Sequence, residues 1–581
     1  VPGVVVGGAL VWSVLWFTRL GFNPTDDGLI LAQAQRLWGG EVPHADFATP
    51  RPAGAAILHL LDIGLPGPQL MISRIVVLAQ LVVTAAMIVR LITGRPFRVW
   101  EGREGAVVAA GFVVSLHTFP LMSWHTVDGV LLAVVSLWLI EVGARRGSLV
   151  WLSSGAFFAG FAPLVKQSFA AVPVLAVLWF IWAVRSTPVA QRPGYRAISA
   201  AAGALVLPGF CYLIWVAGAG GFFAAVDQMT AAESVDVFSM AQGLPSSGLI
   251  IVVMLAATVP AMGLGLLRRH PAGADGSLAN RFEPWTRVAQ VVSGALILAM
   301  AAAVTLAGGL GLGGEWGMHL WWLAVVAAST WSVVAGRVDA ASAAVLAVGW
   351  MASLSWGYPV PNLVAGGFVV IVLLRSGALI GLGVGDQGRA VLAATASGGA
   401  LALALVLLVW SVPLRRDHVY RDVAAWAQTG SLSGVAPSVV GVRTNEVTAA
   451  YMAKISECLE LHPASALAVL PDNPGVPMLL DRRNPLPVDW WYPPELPGDR
   501  VGLIERVDRV DDAGDYLILF QTAPVDGIAS QGGITDATPT SPLFDYSGGM
   551  AQLVFDSLDG EVITCGPFVG RYRPDFAAVD G

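Results

Sequence analysis

Lysine is nearly missing from this chain of 581 residues; Lys166 and Lys454 are the only two. Charge of either sign is scarce, at 13% of residues, where soluble domains carry about a quarter. The deficit falls in residues 1–411, and residues 412–581 have the composition of an ordinary soluble sequence. The net charge of -7 says nothing about nucleic acid, but there is no basic cluster to bind it, so no nucleic-acid partner is expected. Cysteine is limited to three. Cys211 lies in an apolar run and reads as inert core. Cys458 and Cys565 lie in the soluble tail, either as two unrelated buried thiols or, in an oxidising compartment, as a pair. The first apolar run, Val4 to Leu20, lacks a basic leader and a small-residue cleavage site, and reads as a retained span. No cysteine and histidine spacing suits zinc, and no Ser-His-Asp or Cys-His arrangement is readable. The glycine run Gly308 to Gly314 lacks the ending of a phosphate loop and reads as a span end.

What the chain does have is long apolar runs, and a span needs about 20 such residues. Runs near 3–20, 69–92, 106–121, 127–143, 148–165, 168–185, 198–219, 247–267, 289–311, 319–335, 340–356, 362–384 and 390–411 predict about 13 transmembrane helices. Arg375 falls inside the run at 362–384 and blurs its boundary. Arginines set the orientation. With the N-terminus cytoplasmic, alternate loops hold Arg95, Arg98 and Arg103, then Arg145 and Arg146, Arg192 and Arg196, Arg268 to Arg287, Arg337 and Arg389. The opposite loops hold few cations, and an odd span count puts the tail outside. The prediction is a multi-pass protein of the inner (plasma) membrane. Residues 1–411 form its transmembrane domain, and 412–581 form an extracytoplasmic α/β domain.

Between the first two runs lies the first outer loop, 21–68, which concentrates Asp26, Asp27, His44, Asp46 and Arg51. Within it, Leu29 to Leu37 suits an amphipathic helix lying on the membrane, ended by Trp38-Gly39-Gly40. Pro43, Pro50 and Pro52 keep the next segment extended. The loop at 220–246 is long enough for a surface helix. In the tail, Val419 to Ala427 and Asn445 to His462 read as helices, and Ala466 to Leu470 and Leu517 to Phe520 as strands. Arg482, Arg483, Asn484, Trp490, Trp491 and Tyr492 form a polar-aromatic patch, read either as a sugar or membrane contact or as an ordinary loop.

Ionisable residues at membrane depth cost about 2.5–3.5 kcal/mol each on insertion scales, so they are candidates for function. Besides the first loop, three places qualify: Asp128 after Trp124-His125-Thr126, Lys166 with Gln167, and Glu315 with His319. All map to one face under the arginine-derived topology, which suggests a shared cavity. The structural alternatives are a snorkelling Lys166, a helix-start Asp128, a packed His125, and loop roles for Glu315 and His319. Asp26-Asp27 is the strongest signal, because two adjacent carboxylates at a membrane edge have no obvious packing role.

Asp26-Asp27-Gly28 directly after the first span, Gly40 to Phe47, and Pro50-Arg51-Pro52 together resemble the first outer loop of GT-C membrane glycosyltransferases. That group includes protein O-mannosyltransferases, lipid A aminoarabinose transferases and mycobacterial arabinofuranosyltransferases. Trp124 to Gly129 is similar to the group's second acidic motif, and Lys166-Gln167 to a basic motif of some members. The tail's Pro471-Asp472 and Asp481 to Pro485 also fit. Two positions depart from the pattern: Gly28 stands where aminoarabinose and mannosyl enzymes carry bulkier residues, and His44 where tyrosine is common.

The resemblance implies transfer of a single sugar, with inversion, from a polyprenyl-phosphate donor to a hydroxyl of a glycan, lipid or protein on the outer face. Asp26 is then the expected general base, worth about 10²–10⁴-fold. Asp27 or Asp46 orients the acceptor, and Lys166 or Arg51 stabilises the leaving phosphate. His44 bonds the sugar or phosphate, and His125, Asp128 and Gln167 complete the expected substrate contacts. The polyprenyl tail and membrane lipid occupy the spaces between spans. No cofactor is required; the aspartates offer ligands for a divalent cation, which a phosphate flanked by Lys and Arg does not need. The competing function is a transporter or flippase of a lipid-linked or small polar substrate. Such proteins tend to show duplicated halves and charges near mid-membrane, and the sequence shows neither.

Overall fold

A helix that is apolar on every side must be covered by protein or by lipid. In the computed structural model, this rule organises the first two-thirds of the chain. The structure describes residues 2–118, 121–231, 248–267, 277–307, 316–354, 361–383, 422–523, 543, 545 and 547–574. The longer helices are α1 (Pro2–Phe17), α2 (Leu29–Trp38), α3 (Gln69–Thr93), α4 (Gly102–Thr118), α5 (His125–Arg146), α6 (Leu149–Val165) and α7 (Val172–Arg185). They continue with α8 (Tyr195–Gly218), α9 (Phe222–Ala231), α10 (Gly248–Leu267), α11 (Ser277–Ala307), α12 (Trp316–Ala335), α13 (Ala340–Ser353) and α14 (Ala365–Gly383).

Among the described residues, seven helical segments are long and apolar enough to cross a membrane: Gln69–Thr93, His125–Arg146, Gln167–Arg185, Tyr195–Gly218, Phe282–Thr305, Gly317–Ala335 and Pro361–Gly383. Four shorter apolar helices accompany them, at Pro2–Phe17, Leu149–Val165, Ile251–Leu267 and Ala340–Ser353. The expected count of thirteen took several helices of 14–17 residues as full spans. The run at 390–411, the glycine run and Glu315 lie outside the described residues. The bundle interior is lined by α3, α4, α5 and α14, while α7, α8 and α10 turn apolar side chains such as Leu178, Phe210, Ile214 and Val252 outward. Cys211, expected in the core, is exposed on α8.

Charges inside the bundle are paired, as burial demands. At one end, Arg145 meets Glu141 at 2.7 Å and Arg95 meets Glu104 at 2.6 Å. Arg375 sits within the continuous helix α14, where its guanidinium binds both oxygens of Asp339 at 2.5 and 2.6 Å and donates to the carbonyl of Ile92. Asp339 also caps α13 by accepting from the Ser342 amide. An arginine that looked like an interruption of the run therefore belongs to a bridge between helices.

The tail is a small mixed α/β unit. Strands β1 (Gly430–Ser431) and β2 (Arg443–Thr444) pair with each other. β3 (Ala466–Leu470), β4 (Tyr516–Gln521), β5 (Glu561–Cys565) and β6 (Phe568–Arg573) form one sheet in the order β3-β4-β6-β5, with β3 and β4 parallel and the other pairs antiparallel. Both parallel strands are buried along their whole length, which is why they read as unbroken apolar runs. Helix α15 (Glu446–Leu461) is capped by Asn445, whose side chain accepts from the Thr448 amide. Cys458 on α15 is disulfide-bonded to Cys565 on β5. The predicted helix at Val419 to Ala427 is not formed as such; its described part holds only a 3-10 turn at Ala425–Ala427.

Candidate active site

The first loop does not lie on a membrane surface as an isolated amphipathic helix. Helix α2 forms where predicted, but Leu29, Ile30, Leu31, Ala32, Ala34 and Arg36 are all buried. The cover comes from three sides: Leu29 and Ile30 join the core of the bundle, Ala34 packs with Tyr212 and Val216, and Leu31 and Ala32 join the core of the tail. Residues 472–495 of the tail are tied to the loop through Thr25, Arg36, Ala48 and Arg51. Arg36 donates to Asp489 at 2.8 Å and to the Leu486 carbonyl at 2.7 Å, while also meeting Glu41 at 2.7 Å. The Ala48 amide donates to the Pro487 carbonyl. Thr25 donates to Asp472 at 2.8 Å, and the Trp490 indole donates to the same carboxylate at 3.1 Å. Arg51 grips Glu495 with both terminal nitrogens at 2.5 Å.

This docking accounts for Gly28. Its φ is 93°, a region that favours glycine, and a Cβ there would stand 3.1 Å from the Cα of Gly475 in the tail. The bulkier residue of the resembled enzymes would hold the two backbones apart.

Asp26 and Asp27 sit in the turn before α2, 4% and 6% exposed. Asp27 accepts from the Asn23 amide at 2.9 Å and meets Arg74 of α3 at 3.4 Å. Arg74 in turn donates to the carbonyls of Thr18 and Gly21, at 2.8 and 2.6 Å, so it pins the end of α1 to the loop. Burial raises the Asp27 pKa against the opposing pull of Arg74.

Asp128 belongs to a second network. Its Oδ1 accepts from Gln80 at 2.7 Å and faces His59 Nε2 at 3.3 Å, and the other nitrogen of His59 meets Asp62 at 2.7 Å. Burial opposes the His59 charge, but Asp128 and Asp62 outweigh it and raise its pKa to about 10. Arg74 and Gln80 are six residues apart on α3, so Asp27 and Asp128 attach to that helix about 9 Å apart along its axis. Two residues before Asp128, Thr126 accepts from Lys166 at 3.2 Å. Lys166 is buried in the break after α6 and does not snorkel. Gln167 next to it donates to the Pro50 carbonyl, tying this break to the first loop. His125 lies within electrostatic reach of both Arg51 and Lys166, and its Nδ1 has no hydrogen-bond partner among the described residues.

His44 has a left-handed backbone, φ 67°, and is 1% exposed. Its Nδ1 is 2.9 Å from Gln228 Oε1 on α9, and its Nε2 is 2.9 Å from the Tyr212 hydroxyl on α8. Burial lowers its pKa, so the neutral ring donates from Nδ1 to Gln228 and accepts at Nε2 from Tyr212. His44 therefore anchors the loop to α8 and α9. The described part of the loop at 220–246 does hold a helix, α9, and Gln228 is buried. The Asp46 carboxylate accepts from the Val42 amide, closing a turn, and its carbonyl accepts from Arg506 of the tail.

The starts of α3 and α5, the end of α6, the first loop and the tail segment thus meet at one end of the bundle, opposite the end holding Arg95, Arg145 and Arg375. His319 is half-buried near the start of α12 and takes no part in these networks. Sequence reading missed His59, Asp62, Arg74, Gln80, Asp489 and Glu495. An arginine only five residues into the apolar run at 69–92 was the available sign for Arg74. The partners from the tail had none, because their pairing is long-range. Among the described residues, no group of three His, Cys, Asp or Glu side chains is arranged to hold a metal ion.

No protein family model matches the chain, and no curated protein matches it. Among solved structures, it is similar to the arabinosyltransferase EmbB from Mycobacterium smegmatis, solved by single-particle cryo-electron microscopy. The identity is 15% and the TM-score 0.30, over 73% of this chain and 42% of EmbB. The chain therefore spans less than half the length of that protein.

Proposed function

We propose that the protein is a membrane glycosyltransferase that moves a sugar from a polyprenyl-phosphate donor to a hydroxyl acceptor. The observation that carries this reading is a cluster in which Arg51, paired to Glu495, lies within electrostatic reach of Lys166 and His125 at the same end of the bundle as Asp26 and Asp27. Glu495 balances Arg51, and burial beside that guanidinium lowers the Lys166 pKa to about 7, so the surplus of positive charge here is the proton that an arriving anion would hold on Lys166. An anion such as a lipid phosphate satisfies that surplus, with Arg51 exchanging Glu495 for a phosphate oxygen in a similar forked geometry.

Asp26, in the same turn as Asp27, is taken as the base, and Asp27 as the carboxylate that Arg74 and the Asn23 amide hold in place. In the reaction, Asp26 takes the proton of the acceptor hydroxyl as its oxygen bonds to the anomeric carbon. The bond from that carbon to the phosphate oxygen breaks, and the polyprenyl phosphate leaves with the electron pair, its charge met by Arg51 and Lys166. Attack opposite the phosphate inverts the centre. The Cys458–Cys565 disulfide supports a tail in an oxidising compartment, and the arginine distribution supports an outward-facing site. The test is sugar transfer by the purified protein from radiolabelled polyprenyl-phosphate sugars to endogenous envelope glycans. Asp26→Asn should lose at least about 10²-fold in rate while keeping its donor affinity. Equal rates in the two proteins would refute the assignment of the base.

A further inference from the structure

The tail residues beside Asp26 have a use that docking alone does not require. Trp490 and Tyr492 stack with ring centroids 5.3 Å apart and planes 24° from parallel. Both pack against the core of the helical bundle, yet Tyr492 stays half-buried while Trp490 is covered. The Trp490 indole donates to Asp472, and Asp472 accepts from Thr25, the chain neighbour of Asp26. Asn23, Thr25, Asp472 and Tyr492 are all partly exposed, whereas Asp26 and Trp490 are buried. The result is an accessible strip with an aromatic face at one end, a carboxylate in the middle and a buried carboxylate beyond it.

We propose that this strip, contributed mainly by the tail, is a saccharide subsite: Tyr492 backed by Trp490 carries the apolar C–H face of a sugar ring, and Asp472 with Thr25 takes its hydroxyls. The proposal rests on the transferase reading for its role, since it makes the acceptor itself a glycan rather than a lipid or protein. A carboxylate has about four lone-pair sites, so one that holds Thr25 and Trp490 can also serve a sugar hydroxyl. An aromatic platform with few convergent polar groups is the usual make-up of a small-ligand site. The indole hydrogen bond to Asp472 fixes Trp490, and Tyr492 stacks on it, so the platform is ordered before a sugar arrives, which lowers the cost of binding.

The experiment is saturation-transfer NMR on the full-length, detergent-solubilised protein with octyl glycosides of arabinofuranosyl, mannosyl and glucosyl disaccharides. At least one should bind the wild type. Tyr492→Ala and Asp472→Asn should each weaken that binding about tenfold, and Tyr492→Phe, which keeps the ring, should retain it. Thermal unfolding of each variant separates loss of a contact from loss of the fold. If no disaccharide binds, or if folded Tyr492→Ala and Asp472→Asn bind as the wild type does, the subsite is wrong. Saccharide binding that follows Tyr492 in a protein that transfers no sugar would sink the transferase and leave the subsite. Transfer with an unchanged acceptor KM in both variants would do the reverse.

Discussion

Replacing Arg36 with methionine tests whether the loop and the tail form one structural unit. The Arg36 side chain is 5% exposed, and its partner Asp489 is 2% exposed. The substitution keeps the aliphatic length but removes three donors, to Asp489, Glu41 and the Leu486 carbonyl. Asp489 then keeps only Asn484 among its described hydrogen-bond partners, as a buried carboxylate without its cation. Breaking a buried pair by removing one partner costs about 3–5 kcal/mol. The cost falls on undocking of residues 486–490 from the loop, so hydrogen exchange reads it directly. The Ala48 amide, which donates to the Pro487 carbonyl, should exchange roughly 10²- to 10³-fold faster in Arg36→Met. Adding Asp489→Asn removes the stranded charge and should recover much of the loss. Exchange within about threefold of the wild type would mean a pair solvated like an ordinary surface bridge, worth under about 1 kcal/mol, and the unit would not exist.

Other consequences follow from the same geometry. His59 gains a proton affinity on folding, so its contribution to stability is whole below its unfolded pKa of about 6.5 and fades as pH rises through about 10. The thermal midpoint should therefore fall across that window, and His59→Gln should flatten the fall; equal slopes would contradict the network with Asp62 and Asp128. Gly28→Ala and Gly40→Ala both place a side chain at positive φ, but only Gly28 faces another backbone; Gly40 has open space around it. The first should cost more stability than the second, by about 1–3 kcal/mol, measured by denaturant unfolding of the two variants. Equal costs would mean that the approach of Gly475 is not a constraint.

Local signals were legible in the sequence. The apolar runs gave twelve of the helices, with Arg375 the one apparent break, and the alternation of strand and helix signals gave the α/β tail. The concentration of acidic and cationic groups in residues 21–68 marked the loop that all the networks converge on. What the sequence did not carry was pairing over 400 residues or more. Helix α2 has an amphipathic pattern, which fits a lipid surface and a protein cover equally well; only the tail's Asp489, a partner 453 residues away, decides between them. The same holds for Arg51, which reads as a free cation until Glu495 is brought to it. Hydropathy registers apolar composition, whereas crossing a membrane also requires length; among the described residues seven helical segments meet both requirements and four shorter helices meet the first.

The most direct test of the account is mass spectrometry of the lipid that copurifies with the full-length protein. A polyprenyl phosphate, with or without its sugar, should be present in the wild type and depleted in an Arg51→Met, Lys166→Met double variant that still folds. A preparation carrying only bulk phospholipid, unchanged by those substitutions, would contradict the claim that the cationic cluster receives a lipid phosphate.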